Sequence, residues 1–367
     1  MIDSFFHTCS FVFVKNCNLV YNYNKSDSMF FNSTMFGSFY LRECDEVRWM
    51  NNIREKIILA QNEIQKVVKG KNDKIEKIIA VILAKGHILL EDVPGVGKTT
   101  TALSLSRVLS LRYGRVQFTP DVLPTDITGF IMYNKQTDKF EYKFGAVMCN
   151  LFLADEINRT SPKTQSALLQ VMEEGKVTID GKNLIIPKPF IVIATQNPTG
   201  STGTQKLPES QLDRFMIKIS MGYPDRNNEI DILKGEKTDK YKELNRVLTA
   251  SEIVEAQGVV EKIFVNDKVY GYIADLVNAT RVNEFIQVGL STRASIALLR
   301  LAKSYAFLDN RDYCTPEDVV KSFYDISMHR IVLSSKARMS NVNVRQVLDK
   351  VREGIEVPSM VENNVLK

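Results

Sequence analysis

The sequence predicts an α/β protein with a parallel central sheet of the αβα type, followed by a small all-α domain. Three observations lead to this fold class. Apolar segments of strand length alternate with segments of helical periodicity up to about residue 220. The first of these segments runs into a glycine-rich turn and then a helix, and the remainder of the chain reads as helices. The expected strands lie near 88–91, 115–119, 150–154, 190–195 and 215–220.

Composition sets broad limits on the function. At 367 residues the chain can form two or three domains, and its net charge of +5 is modest. No long Lys/Arg block accompanies that charge, so nucleic acid is not an expected partner. The five cysteines form no C-x-x-C pair, which predicts reduced thiols in a cytoplasmic protein. No apolar run approaches the ~18 residues of a membrane span, so membrane insertion is not expected.

The first 49 residues differ from the rest of the chain. They are rich in Phe, Tyr, Asn and Ser and show neither helical nor strand periodicity, whereas a segment rich in helix formers begins at Met50. Residues 1–49 could be an anchor or a partner-binding tail. Their composition favours an extension that is disordered or foreign to the natural protein, with Met50 as its start. The apolar stripe of the following helix is Ile53, Ile57, Ile58 and Ile64.

A phosphate-binding loop is indicated by "LLEDVPGVGKTTTAL". This stretch matches the pattern G-x-x-x-x-G-K-[ST], except that Asp92 stands in place of the first glycine. Glycines in such a loop allow backbone N–H groups to face phosphate oxygens. Lys98 would reach the β- and γ-phosphates, and the Thr99 hydroxyl would bind Mg²⁺. The curved part of the loop follows Asp92 and consists of Pro94, Gly95, Val96, Gly97, Lys98, Thr99 and Thr100.

An acidic pair ends the apolar segment of "NLFLADEINR". In nucleotide hydrolases an aspartate in the place of Asp155 holds Mg²⁺, and a glutamate in the place of Glu156 deprotonates the attacking water. An acidic pair that merely opens a helix is the alternative, and it is common. The phosphate-binding loop upstream favours the catalytic interpretation.

Three further polar residues are candidates for the same site. Asn197 ends the strand of "FIVIATQNP", where an amide can hold water or the γ-phosphate, although Asn before Pro is also a common turn. Arg214 stands between a short helix and a strand. Arg293 lies in the first turn of an amphipathic helix, where a cation opposes the helix dipole. This position suggests a bound anion, unless Arg293 is simply a surface residue.

The order and spacing of these motifs resemble those of the AAA+ ATPases, and within them the MoxR family of the helix-2-insert group. The resemblance runs from about Met50 to the end of the chain. It includes "PTDITGF", "ADEINRTSPKTQSALLQVMEEG", "LDRF", "STRAS" and "RDYCTPEDV". It implies a P-loop NTPase core with a helical lid, and a loop that works despite Asp92.

The resemblance also implies a role for each motif residue of the core. Lys98, Thr99 and Asp155 match the ligands of ATP and Mg²⁺ in that family. Glu156 matches the catalytic base, and Asn197 matches the first sensor.

Other matching residues belong to subunit contacts, the lid and the base pocket. Arg214 matches the arginine finger offered to a neighbouring subunit, which implies a homo-oligomer, most commonly a hexameric ring. Arg293 matches the second sensor in the lid. Val68 and Gly70, in "VVKGK", match the adenine pocket, although Lys71 replaces the usual Gln.

The resemblance implies an ATPase core at residues 50–222 and a helical lid at 223–367, with a hinge at 221–229. Two insertions, at 124–147 and 175–190, contain hairpin signals, the second of them an Asp-Gly turn between β-rich flanks. They would reach toward a central pore or a substrate, unless they are ordinary surface hairpins.

The implied function is that of an ATP-hydrolysing chaperone that assists the maturation of partner protein complexes. MoxR proteins are associated with partners that contain a von Willebrand factor A domain. A nucleic-acid motor of the helicase type and a magnesium-chelatase-like subunit are the alternatives. No helix-turn-helix tail or dense basic stripe supports the former.

Overall fold

The structure, a computed structural model, describes residues 33–93, 95–197, 205–233 and 240–359. Pro94, which the sequence places in the phosphate-binding loop, lies outside these ranges. The strands of the described residues form one five-stranded sheet and three two-stranded sheets. They are β1 (Ile88–Glu91), β2 (Tyr113–Gln117), β3 (Gly129–Asn134), β4 (Lys139–Phe144), β5 (Leu151–Asp155), β6 (Lys176–Ile179), β7 (Lys182–Ile185), β8 (Ile191–Gln196), β9 (Ile217–Ile219), β10 (Ile286–Val288) and β11 (Val332–Leu333).

Helices precede the sheet, connect its strands and make up most of the chain that follows it. Two 3₁₀ turns also lie in the described part of the chain, Ile157–Arg159 and Lys240–Glu243. The α-helices are α1 (Ser33–Gln65), α2 (Asn72–Leu83), α3 (Lys98–Val108), α4 (Pro124–Thr128), α5 (Pro162–Glu174), α6 (Glu209–Leu212), α7 (Arg226–Leu233), α8 (Ala250–Lys262), α9 (Asp267–Val282), α10 (Thr292–Leu308), α11 (Pro316–Ser327), α12 (Ser335–Met339) and α13 (Val344–Glu353).

The chain divides into two units, residues 1–47 and 48–367. In the first unit the described residues belong to α1, which begins at Ser33. The sequence pattern predicted a helix only from Met50, because the residues before it carry no apolar stripe at helical spacing. Whether residues 1–49 belong to the natural protein stays a prediction.

The five-stranded sheet confirms the predicted parallel α/β core. Its strands lie in the order β2, β5, β8, β1, β9, and every neighbouring pair is parallel. All of β8 is buried, as are the first four residues of β5. Helices cover both faces of such a sheet, which is why these strands read as unbroken apolar runs in the sequence.

The parallel arrangement places the strand ends at two opposite edges of the sheet. The residues that follow β1, β5 and β8 meet at the carboxyl edge. The residues that precede β1 and β9, such as His87 and Met216, lie at the amino edge, where the Met216 N–H donates to the His87 carbonyl (2.8 Å). Ligands of open α/β sheets bind outside the carboxyl ends of the strands.

Both insertions form the antiparallel hairpins that the sequence predicted. Strands β3 and β4 pair with one another, as do β6 and β7. The turn of the second hairpin is Asp180 and Gly181, both at positive φ (48° and 74°). Each hairpin carries a large apolar side chain that is mostly exposed. Phe140 of the first hairpin is 75% exposed, and Ile185 of the second is 74% exposed.

The helical lid is confirmed, with two differences in detail. The predicted hinge at 221–229 is shorter, because α7 begins at Arg226. Strands β10 and β11 form a small antiparallel pair inside the lid, which was predicted to be all-α. Strands of two or three residues are too short to produce a detectable alternation.

Residues 50–65 of α1 and helix α2, which the sequence assigns to the core, also pack against the lid, and Lys56 of α1 donates to Glu252 of α8 (2.5 Å). The Gln257 side chain of α8 donates to the Ile82 carbonyl (2.7 Å), and the Ser304 hydroxyl of α10 donates to the Ala80 carbonyl (2.7 Å). In α1 the stripe of Ile53, Ile57 and Ile64 is buried, as expected. Ile58 is 51% exposed, so its inclusion in that stripe was wrong. It lies one residue, about 100°, around the helix from Ile57.

Candidate active site

The loop after β1 has the backbone of an anion-binding turn. Gly95 and Gly97 have φ angles of 87° and 89°. A Cβ atom at either position would meet no atom within 4 Å, so the backbone conformation, not crowding, calls for glycine here. Helix α3 begins at Lys98, directly after Gly97. A helix start with positive-φ residues before it presents unpaired N–H groups to an anion.

Lys98 is buried at the centre of this loop, with 9% of its surface exposed. Its Nζ donates to the Asp92 carbonyl (2.6 Å) and more weakly to the Asn197 Oδ1 atom (3.5 Å). Burial lowers the pKa of Lys98, and the carboxylates of Asp92, Asp155 and Glu156 partly offset that effect. The ammonium group therefore lies among acceptors that a phosphate could replace.

Asp155 ends β5 at the same edge of the sheet. Its carboxylate accepts a hydrogen bond from the Thr195 hydroxyl (2.7 Å) and forms an ion pair with Arg115 (2.7 Å). The Thr195 hydroxyl also accepts from the Glu156 N–H (2.8 Å). The pairing of β5 with β8 makes this contact possible, because it brings Thr195 beside the acidic pair.

Glu156 has a φ angle of 58°, which lies in the left-handed region that residues other than glycine seldom adopt. Its carboxylate accepts from the Asn197 side chain (2.8 Å) and forms an ion pair with Arg159 (2.7 Å). Asn197 is itself buried and lies between Glu156 and Lys98. The strand ends thus bring together Lys98, the acidic pair and Asn197, which come from three segments far apart in the sequence.

The two predicted arginines lie in a different place, at the amino edge of the sheet. Arg214 donates to the Leu169 carbonyl (2.9 Å) and pairs with Glu173 (2.8 Å). Arg293 forms an ion pair with the same Glu173 and a longer one with Asp213 (3.5 Å). Both arginines line a cleft of about 400 Å³.

That cleft and the phosphate-binding loop lie at opposite edges of the sheet, separated by the length of its strands. The walls of the cleft include Gly86 and His87, which precede β1, and Met216, which precedes β9. Lys98 follows the opposite, carboxyl end of β1. Arg214 and Arg293 therefore face away from the loop of their own chain.

The segment predicted to form the adenine pocket packs against the hinge. Val68 is buried, and Gly70 approaches α7 so closely that a Cβ atom would lie 2.8 Å from the Asn228 amide nitrogen. Lys71, which replaces the usual Gln, donates from its Nζ to the Tyr223 carbonyl (2.7 Å). This lysine is engaged with the hinge backbone.

The sequence reasoning missed several residues that hold the site together. Thr195 and Arg115 orient Asp155, Arg159 pairs with Glu156, and Glu173 joins the two arginines. Arg159 could have been found from its spacing of three residues after Glu156. The others act through contacts between distant segments, for which a single sequence gives no signal.

Comparison with known proteins accounts for both parts of this architecture. Residues 87–217 match the model of the ATPase family associated with various cellular activities (AAA), and residues 278–351 match the model of the AAA lid domain. The chain is 36% identical over 309 residues to the chaperone MoxR1 of Mycobacterium tuberculosis, which covers 81% of each chain.

The chain belongs to the MoxR family of AAA+ ATPases. Another similar protein, the uncharacterised YeaC of Bacillus subtilis, is 44% identical to this MoxR protein over 300 residues, covering 82% of this chain and 94% of the relative. The crystal structure of a protein from Cytophaga hutchinsonii, provisionally classed as an ATPase, superposes with a TM-score of 0.79. The two sequences are 37% identical, and the superposed region covers 87% of this chain and 99% of the Cytophaga chain.

This family membership confirms that the chain is a MoxR-type AAA+ ATPase with a helical lid. AAA+ membership also implies nucleotide binding and assembly into oligomeric rings. Among the described helices none has the length and apolar character needed to cross a membrane.

Proposed function

We propose that this MoxR protein binds Mg²⁺-ATP at the carboxyl edge of its sheet and hydrolyses it there. The observation that carries the proposal is the position of Asn197, whose amide contacts both Lys98 (3.5 Å) and Glu156 (2.8 Å). A phosphate-binding cation, a candidate base and a polar amide thus converge where a γ-phosphate and its attacking water would lie. The Thr99 hydroxyl and the Asp155 carboxylate supply the oxygen ligands that Mg²⁺ prefers.

The loop residues would bind the phosphates, and the acidic pair would hold Mg²⁺ and activate the attacking water. Lys98 would leave the Asp92 carbonyl for the phosphates, which the backbone N–H groups of residues 95–100 would also bind. Bound Mg²⁺ would neutralise charge on the phosphate oxygens. Glu156 would accept the proton of the attacking water, with Asn197 orienting that water or the γ-phosphate. Val68 and Gly70 would lie beside the adenine base.

We also propose that each nucleotide is shared between two subunits. Arg214 and Arg293 line a cleft at the sheet edge opposite their own phosphate-binding loop. A neighbouring copy in a ring, most simply a hexamer, could present its γ-phosphate to that cleft. Both arginines would then act in trans and stabilise the charge of the transferred phosphoryl group.

Mixing of inactive variants tests the shared site. Lys98→Ala should abolish ATP binding, and Glu156→Gln should bind ATP but hydrolyse it very slowly. Arg214→Ala should be inactive alone, yet recover turnover when mixed with Glu156→Gln, because a mixed ring contains sites with an intact Glu156 and a neighbouring Arg214. Arg345→Ala, an exposed arginine of α13, is the matched control and should behave as wild type.

Light scattering should first establish that the variants assemble together. Absence of rescue in rings shown to be mixed would contradict a site completed in trans. Normal turnover by Glu156→Gln would remove Glu156 as the base.

The biological role proposed for the ATPase is remodelling of a partner protein complex in the cytoplasm. The support is the chaperone designation of the related MoxR1 and the exposed apolar side chains on the two hairpins, such as Phe140 and Ile185. A von Willebrand factor A domain protein is the expected partner. Glu156→Gln, loaded with ATP, should retain such a partner in a pull-down with purified candidates. Stimulation of turnover by DNA, and not by any candidate protein, would favour a nucleic-acid motor.

A further inference from the structure

Asp92, which replaces a glycine of the strict loop pattern, is buried and fully engaged. Only 6% of its surface is exposed. One carboxylate oxygen accepts from the Ser220 hydroxyl (2.7 Å) and the Gly222 N–H (3.1 Å), and the other accepts from the Met221 N–H (2.5 Å). A glycine would offer none of these acceptors.

The backbone of Asp92 also forms hydrogen bonds, and these lie on the side of the phosphate-binding loop. Its carbonyl accepts from the Lys98 Nζ (2.6 Å), and its N–H donates to the Gln196 carbonyl (3.3 Å) at the end of β8. One residue therefore holds the lysine of the phosphate-binding loop through its carbonyl and holds residues 220–222 through its carboxylate.

Residues 220–222 leave the core after β9 and lead toward the lid. Gly222 has a φ angle of 66°, in the left-handed region that favours glycine. The next residue, Tyr223, accepts the Lys71 hydrogen bond through its carbonyl (2.7 Å). Asp92 is thus bonded to the segment in which a rotation of the lid relative to the core would begin.

We propose that Asp92 is a positioning residue that couples the phosphate-binding loop to the hinge. This inference rests on the proposed nucleotide site. When phosphate draws Lys98 away from the Asp92 carbonyl, the loop around Asp92 is free to adjust. The carboxylate passes that adjustment to Met221 and Gly222 because it accepts both of their N–H groups. The departure from the glycine pattern then supplies a coupling that glycine cannot provide.

The variant Asp92→Asn tests this coupling with little change in volume. Its single acceptor oxygen can retain the bonds from Ser220 and Gly222, but its NH₂ group would face the Met221 N–H, donor against donor. We expect ADP affinity, measured with a fluorescent ADP analogue, to stay within about threefold, while kcat falls about tenfold, as for a typical coupling between sites. Hydrogen exchange of the Met221 and Gly222 amides should respond to ATP in the wild type and lose that response in Asp92→Asn.

The matched control is Glu91→Gln. Glu91 is the adjacent carboxylate, and it contacts Gln196 and Lys218 but no amide of the hinge. It should keep both the wild-type kcat and the exchange response. A wild-type response in Asp92→Asn, or a loss that is the same in Glu91→Gln, would overturn the coupling.

Two further results separate this proposal from the nucleotide site on which it rests. If Asp92→Asn does not fold, Ser220→Ala removes one of the three bonds, and a partial loss of the exchange response is then expected. An unchanged response in Ser220→Ala would overturn the proposal in that case. Failure of the wild type to bind ADP or ATP would contradict the nucleotide site itself, whereas failure of the coupling alone leaves Lys98→Ala and Glu156→Gln with their expected behaviour.

Discussion

At the scale of single residues, Thr195 fixes the geometry of the acidic pair. Its hydroxyl donates to the Asp155 carboxylate (2.7 Å) and accepts the Glu156 N–H (2.8 Å), so one oxygen atom contacts both acidic residues. Glu156 has the left-handed backbone conformation that this N–H bond helps to hold. A hydroxyl with two such partners supports a backbone that would otherwise be strained.

Replacement of Thr195 by valine should therefore lower turnover more than it lowers nucleotide affinity. The volume is nearly conserved, but the Glu156 N–H loses its acceptor, at a cost of about 1–3 kcal/mol in the free energy of unfolding. We expect kcat to fall at least tenfold, on the order of what a misplaced catalytic group costs. Steady-state kinetics measure kcat, titration with a fluorescent ADP analogue measures nucleotide affinity, and urea unfolding measures the free energy of unfolding.

Thr178→Val is the control for Thr195→Val. Thr178 lies on an exposed hairpin strand, where its hydroxyl donates to Asn183 (2.7 Å). Its replacement should leave both kcat and the free energy of unfolding close to the wild type. An equal fall in kcat for both variants would contradict the assigned role of Thr195.

At the scale of elements, a buried arginine docks the lid on the core. Arg330 follows α11. Its guanidinium pairs with Asp213 (2.7 Å) and donates to the carbonyls of Phe215 (2.6 Å) and Met216 (3.0 Å). Its side chain is 4% exposed. Burial lowers the pKa of Arg330, and the Asp213 carboxylate partly offsets that effect. These bonds also fix the backbone on either side of Arg214.

Arg330→Met should destabilise the fold by about 3–5 kcal/mol, because it removes the buried cation that pairs with Asp213 and donates to two carbonyls, although Ser291 still donates to the Asp213 carboxylate (2.9 Å). Arg345→Met is the control, since its exposed ion pair with Asp349 contributes only about 0–1 kcal/mol. Denaturant unfolding of the two variants measures the difference. A cost for Arg330→Met as small as that of the control would mean that other contacts dock the lid.

A half-buried histidine, His87, makes the contact between β8 and α5 dependent on pH. The His87 ring accepts from the Val192 N–H (3.1 Å) and contacts the Met172 carbonyl (3.0 Å). Burial lowers the pKa of His87 from 6.5 to about 4, although the bond to Met172 opposes that change. Above pH 6.5 the ring is neutral in both the folded and the unfolded chain, so it contributes no pH dependence there.

Below pH 6.5 the unfolded chain takes up a proton that the folded chain excludes. The free energy of unfolding should therefore fall as the pH falls from 6.5 toward 4, by up to about 3 kcal/mol from His87 alone. The variant His87→Gln cannot titrate and should show a shallower fall. Urea unfolding from pH 7 to pH 5 compares the two slopes, and equal slopes would exclude His87 as a source of the acid sensitivity.

The elements show which parts of the molecule the sequence could predict. Buried strands such as β5 and β8 are apolar throughout, and Asp180-Gly181 is a strong turn, so both the sheet and the second hairpin were predictable. The local patterns also made four positions at the carboxyl edge predictable, because each residue lies at the end of a strand or directly after a turn. They are Lys98, Asp155, Glu156 and Asn197. The Arg330–Asp213 pair and the Asp92 bonds were not, because they join segments more than a hundred residues apart.

At the scale of the whole molecule, Glu173 would compete with the phosphate of a neighbouring subunit for Arg214 and Arg293. Glu173 pairs with both Arg214 (2.8 Å) and Arg293, and all three line the same cleft. A phosphate from an adjoining subunit would have to displace this carboxylate. Assembly in the presence of ATP would then break two partly exposed ion pairs inside each chain.

The variant Glu173→Gln should therefore assemble more readily. Without the carboxylate, the arginines give up no ion pair when they meet the neighbour's phosphate, and each such exposed pair contributes about 0–1 kcal/mol. The chain concentration at half-maximal ATPase activity should fall by up to about 30-fold, which corresponds to about 2 kcal/mol for the two pairs together. Dilution series of the wild type and the variant, at saturating ATP, measure this concentration.

The neighbouring acid provides the control for Glu173→Gln. Glu174 lies on the same helix but contacts Gln170 (2.8 Å) and Lys176 (3.8 Å) instead of the arginines, so Glu174→Gln should follow the wild-type curve. If Glu173→Gln instead needs more protein, or turns over more slowly once fully assembled, then Glu173 orients the arginines for the neighbour and does not restrain them. Activity per chain that is independent of concentration in every variant, down to dilutions where light scattering detects only single chains, would contradict a site shared between subunits.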